Sequence, residues 1–275
     1  MRVSTAPTPA LLTVQASQLT TTYPADGLLS VRAIADRKFQ AADQDYQSGQ
    51  LHEAQQKFST ALAYYTQAQE TVGMGQSLNG LSAVSLELEN FDKALACSRA
   101  AVAVLEETSA MTDYAIALYQ LGLSHRAMHQ PHQAERFLSQ ALELFETRGD
   151  AQLDNDALLH LAWAYAEQGK FAFALACCEA VLDALMADRT QANSQERLKS
   201  VLSLMLQLCG QTKMGDAVLA SFQTLLTQHL PTGSPQQVAV RIQQLGQFHE
   251  SQAQYRLALE YYAQALQTIP PVAIA

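Results

Sequence analysis

Apolar residues in this chain fall into two alternating patterns, each with the i, i+3, i+4, i+7 spacing of one helix face, and the pair of patterns recurs along the sequence. The second pattern is marked by an alanine: Ala54, Ala94, Ala134, Ala174, Ala217 and Ala258, at intervals of 40, 40, 40, 43 and 41 residues. With that alanine as position 20 of a unit, position 7 reads Ala41, Leu81, Leu121, Leu161, Leu204 and Leu245. Position 8 reads Ala42, Ser82, Gly122, Ala162, Met205 and Gly246. Positions 20, 24 and 27 are Ala54, Phe58 and Ala61 in the first copy and Ala258, Tyr262 and Ala265 in the last. Small residues around one large one suit two helices that cross closely. Each unit is therefore a predicted helical hairpin, and stacked copies of it share one continuous core.

Punctuation supports the same division. Gly49 and Gly169, near position 15, are predicted to take the left-handed conformation that ends a helix, and Pro131 opens the next one. Gly73 with Gly75, Gly149 with Asp150, and Pro231, Gly233 and Pro235 read as stops and turns between units. The expected organisation is an extension over 1–27, then a single solenoid over 28–275. Its repeats run at about 35–74, 75–114, 115–154, 155–197, 198–238 and 239–275. The polar linker DRTQANS, 188–194, is the expected hinge, and the fifth copy departs from the pattern at Met205 and Thr224.

A small residue at position 8, Tyr165 at 11, Gly169 at 15, an aromatic at 17, alanine at 20, an aromatic at 24, alanine at 27 and Pro270 at 32 follow in order. This order resembles the tetratricopeptide repeat, in its roughly 40-residue variety. The segments ALYQLGLSH (117–125), LLHLAWAYAEQGKF (158–171) and QLGQFHESQAQYRLALEYYAQAL (244–266) carry the resemblance, which covers about 35–270. It implies an all-α superhelix of about six hairpins, with first helices lining a concave groove through positions 2, 5, 9 and 12. On those positions the apolar and aromatic candidates are Tyr46, Leu86, Tyr119, Leu123, Leu159, Trp163, Leu202 and Leu206, with Arg126 beside them. A solvent-facing surface has no structural need for the chain's one tryptophan, whereas binding sites favour an aromatic and arginine centre. The lysines and asparagines of a carboxylate clamp are not at the matching positions, so an apolar strip or amphipathic helix is the expected ligand.

Composition narrows the partner further. Against 17 Lys and Arg stand 26 Asp and Glu, a formal net charge of −9, with no basic stretch to track nucleic acid or an anionic membrane. The short apolar patch Leu11, Leu12 and Val14 is no secretory core, and no apolar run is long enough to insert in a bilayer, so a cytoplasmic protein is expected. Cys97, Cys177, Cys178 and Cys209 lack metal or redox spacing and read as small apolar fillers.

Little in the sequence suggests chemistry. His125 and His129 have the i, i+4 spacing of a metal pair, with His132 nearby, but Arg126 stands where a zinc-binding helix needs glutamate. Arg148, Gly149 and Asp150 read as a helix end followed by a cap, and the VGMG of 72–75, lacking the lysine of a phosphate loop, reads as a turn. With no nucleophile elbow and no paired carboxylates, neither an enzyme nor a cofactor is expected. The expected role is a non-enzymatic adaptor, assembly factor or chaperone holding a peptide or helix; the alternative is a peptide-responsive regulator that changes shape on binding. Leu259, Tyr262, Leu266 and Ile269 form an uncovered stripe at the C-terminal end and predict a homodimer through that repeat.

Overall fold

The computed structural model describes residues 25–149 and 151–187, together with 197, 200, 201, 203–205, 207, 208 and 246. Among the described residues the chain forms eight α-helices and no strand. They are α1 (Ala25–Gln47), α2 (Leu51–Gln67), α3 (Thr71–Glu87), α4 (Phe91–Leu105), α5 (Met111–Ala127), α6 (Pro131–Arg148), α7 (Ala151–Glu167) and α8 (Phe171–Ala187). They divide after Met128 into two compact units, with α1 to α5 in the first and α6 to α8 in the second. Helix α1 starts at Ala25, three residues inside the extension expected over 1–27.

The second helices bury one stripe each. Positions 20, 24, 27 and 31 are Ala54, Phe58, Ala61 and Tyr65 in α2, Ala94, Ser98, Ala101 and Leu105 in α4, Ala134, Leu138, Ala141 and Phe145 in α6, and Ala174, Cys178, Val181 and Leu185 in α8, all buried. The repeating alanine also donates the first helical bond of its helix: Ala54, Ala94, Ala134 and Ala174 bond to the carbonyls of Gln50, Asn90, Gln130 and Lys170 at 2.9 to 3.1 Å.

First helices are enclosed on more sides. In α3, Ser77, Leu78, Asn79, Leu81, Ser82, Val84 and Ser85 are all buried, and α5 buries Ala115, Ala117, Leu118, Leu121, Ser124 and His125. Two of these buried serines satisfy their hydroxyls on backbone: Ser82 donates to the Ala94 carbonyl at 3.1 Å and Ser85 to that of Leu81 at 2.6 Å. In the first unit, Ala42, Ala54, Phe58, Leu81 and Val84 form one core, with Phe39 edge-on to Phe58 at 5.4 Å. Leu78, Ala101, Leu105 and Ala117 form the next.

Position 15 is left-handed in all four described copies: Gly49 (φ 76°), Glu89 (56°), His129 (55°) and Gly169 (73°). At Gly49, Glu89 and Gly169 two bonds close the helix end, the residue itself bonding three back and its successor five back, as Asn90 does to Ser85 at 2.8 Å. Gly149 (φ 72°) ends α6 as predicted, and Gln69 (55°) ends α2 the same way.

The turn reading of VGMG is overturned. Residues 72–75 lie inside the first turns of α3, and Gly73 and Gly75 are buried there. A Cβ on Gly73 would strike the Tyr65 ring and one on Gly75 would strike Leu105, so these glycines allow helices to approach and do not turn the chain. Gly80 serves likewise, a Cβ there falling 2.6 Å from Phe58.

Candidate functional site

In the first unit α1 touches α3 and α3 packs along α5, while the second helices α2 and α4 barely meet. Helices that approach most closely lie on the inside of a bend, so the first helices present the inner face of this unit. Positions 2, 9 and 12 form its open stripe: Asp36, Asp43 and Tyr46 on α1, Gln76, Ala83 and Leu86 on α3, and Ile116, Leu123 and Arg126 on α5, all half-buried. Tyr119, at position 5 of α5, is half-buried beside them.

Position 5 is divided: Phe39 of α1 is half-buried like Tyr119, but the other two described copies are not. Asn79 and Leu159 are each only 7% exposed, because that position leans on a neighbouring helix and not on open space. Asn79 donates its amide to the Asp113 carbonyl at 3.0 Å, and Gln76 reaches the Asp113 carboxylate at 3.2 Å, tying α3 to the start of α5. Burial pushes the Asp113 carboxyl up, against the Gln76 bond that favours its charged form. Tyr46 spans α1 to α3, its hydroxyl donating to Glu87 at 2.6 Å. Burial, then the Glu87 bond and charge, raise the Tyr46 phenol well above its ordinary range, so it stays a donor. These bridges escaped the sequence reading; the available signal was polar pairs spaced 34 to 41 residues apart, close to the repeat length.

In the second unit the face of α7 carries half-buried Trp163 between buried Ala162 and Ala164, while Leu159 is enclosed. Asp156, at position 2, is held by the buried Arg197, whose guanidinium donates to the carboxylate at 2.8 Å. Leu202 and Leu206 lie outside the described residues, as does the stripe of Leu259, Tyr262, Leu266 and Ile269. At the other end of the hairpin, Glu135 of α6 accepts from Lys170 at 2.8 and 3.0 Å and from Gln168 at 2.8 Å. Burial works against the Glu135 charge, but the Lys170 and Gln168 donors outweigh it and hold the carboxyl below its usual range.

His125 is buried at 3% exposure whereas His129 and His132 are exposed, so the three do not converge. Among the described residues no group of three or more His, Cys, Asp and Glu could hold a metal ion, and no helix is long and apolar enough to cross a membrane. Cys97 and Cys177 are half-buried and Cys178 is buried, all as free thiols. Burial pushes Cys177 up to about 11 and Cys178 to about 12, which keeps both protonated.

A face of first helices on a stack of two-helix units defines an all-α solenoid. Tetratricopeptide repeat models match residues 73–147 and 157–192, and the chain is a tetratricopeptide repeat protein. No curated protein matches it in sequence. Among solved structures it is similar to the apo form of RapI, with a TM-score of 0.57 and 14% identity over 92% of this chain and 87% of that one. It is similar to a Rap protein complexed with competence and sporulation factor, with a TM-score of 0.54 and 16% identity over 90% of this chain and 65% of that one. NprR in complex with its cognate peptide NprX gives a TM-score of 0.53 and 13% identity over 93% and 74%. At these identities the likeness is one of fold.

Proposed function

We propose that this protein is a non-enzymatic cytoplasmic adaptor or assembly factor that holds an apolar strip or amphipathic helix of a partner against its first helices. The observation that supports this reading is the half-buried row Leu86, Ile116, Tyr119 and Leu123, with Arg126 at its edge, on the inner face of the first unit. These side chains lie outside the packed stripes, yet they are large and apolar, and the helices beneath them are cross-tied into a rigid platform. A platform ordered in advance loses little entropy on binding. Trp163 gives the second unit an aromatic centre of its own.

Peptides selected from a random library against the whole protein test the reading. Leu123→Asp or Tyr119→Ala should weaken the selected peptides at least about tenfold, roughly 1.4 kcal/mol, while Arg136→Ala on the outer side leaves them unchanged. Peptides indifferent to both inner-face variants would sink it. The regulatory reading draws on the two peptide-bound relatives, the Rap protein and NprR. It requires a change of radius of gyration when the peptide binds, and an adaptor requires none.

A further inference from the structure

The outer side of α8 is unlike those of the other second helices. Position 19 is Glu53 in α2, Lys93 in α4 and Gln133 in α6, but Phe173 in α8, which is 62% exposed, the most exposed large apolar side chain among the described residues. Ala172, Ala176 and Ala180, exposed at successive i, i+4 steps, continue the same side, and Asp183 closes it. Phe173 is not loose: its ring rests on that of Tyr165 at 5.4 Å between centroids, and Lys170 stands over Tyr165 at 5.5 Å. A large ring held fixed in water, beside a strip of methyl groups, is an unfilled half of a helix contact.

We propose that this side of α8 pairs with the same side of a second copy of the chain, the two helices running antiparallel about a two-fold axis between residues 176 and 177. Three features of the helix argue for a second copy. A two-fold pairing sets each Phe173 against Ala180 of the other copy, so a knob meets the hole left between Ala176 and Ala180. The same register sets Lys170 of one copy opposite Asp183 of the other at both ends of the seam. Lys170 has three N–H donors and gives Glu135 two bonds, which leaves one for that partner. Asp183 is exposed and directed to the same side. A seam of about three turns buries less than the roughly 1,200 Å² of a tight complex, so the dimer is weak, with a dissociation constant in the micromolar range, about 1 to 100 µM.

Sedimentation velocity on the full chain from about 1 µM to about 1 mM decides it. The wild type should pass reversibly from monomer to dimer, and Phe173→Glu should abolish the dimer while its circular dichroism and melting stay unchanged, since the ring is exposed. Asp183→Lys should weaken the dimer several-fold, and Arg136→Glu, on the outer side of α6, should not affect it. A wild type that remains monomeric throughout, or a dimer that survives Phe173→Glu, overturns the proposal; the second result would also direct attention to the C-terminal stripe.

Discussion

Helices α3 and α6 are of similar length and carry the same repeat, yet they are buried in different ways. Helix α6 has one enclosed stripe, Ala134, Leu138, Ala141 and Phe145, and an exposed side of His132, Gln133, Arg136, Gln140 and Glu143. Helix α3 is enclosed on nearly all sides, since α2, α4, α1 and α5 all pack on it. It fills that space with glycine and serine as much as with leucine. A second helix therefore depends on a few large side chains, while a first helix depends on the absence of large ones.

The largest expected effect tests the first half of that contrast. Phe145→Ala should cost about 3–5 kcal/mol in chemical denaturation, whereas Arg136→Ala on the same helix should stay within about 0.5 kcal/mol. Comparable losses at both would erase the one-sidedness of α6. The second half is tested by Gly75→Ala, which ought to stabilise an ordinary helix by roughly 1 kcal/mol. Here the added methyl meets Leu105, itself fully buried, so a net loss of about 1–3 kcal/mol is expected, and Ala174→Leu should cost a similar amount. A more stable Gly75→Ala protein would show slack in α3 that the packing does not admit.

Smaller effects are expected at the helix ends. Glu89 and His129 hold left-handed backbone without glycine, at a cost of about 1–2 kcal/mol each, part of which glycine returns as chain entropy. Glu89→Gly and His129→Gly should each raise stability by about 0.5–1 kcal/mol, read as a higher melting temperature, and Gly169→Ala should lower it. The smallest effect is one of pH. Because the Glu135 carboxyl is held below its usual range, its contribution is present above the unfolded carboxylate value and fades as pH falls through the folded one. Lys170 is 39% exposed on its side chain, so the loss amounts to less than about 1 kcal/mol. Melting curves between pH 7 and pH 3 should lose that component in Lys170→Met, and an identical acid slope in both proteins would contradict it.

The same contrast explains what could be read from the sequence. The stripe at positions 20, 24 and 27 was legible because one enclosed side against three wet ones produces a period, and the structure extends it to position 31. Position 5 was not: Asn79 and Leu159 have the spacing of an open face, but first helices press on their neighbours there, and no local pattern reports a neighbour 40 residues away. Gly49, Gly149 and Gly169 announced their backbone, whereas Gln69 and Glu89 adopt the same angles because helix-end hydrogen bonds impose them, and His129 takes them too, a demand their side chains do not advertise. Gly73 and Gly75 misled because glycine marks both a turn and a close approach, and only the position of Tyr65 and Leu105 separates the two. Spacing alone sets Leu86, Leu123 and Arg126 at equivalent positions of the first helices, where they are half-buried, while the bonds between those helices, such as Tyr46 to Glu87, follow only from the stacking.

The first unit is braced unevenly. Its first helices are joined edge to edge, but α2 and α4 stand apart, with a crevice of about 520 Å³ lined by His52, Gln55, Gln56, Ser59, Thr60, Ala63, Tyr64, Gln67 and Lys93. A stack bound along one edge and separated along the other has the compliance of a book held by its spine. Separating the first helices must break the Tyr46, Gln76 and Asn79 bridges. The unit is thus braced along its first helices and open between its second ones.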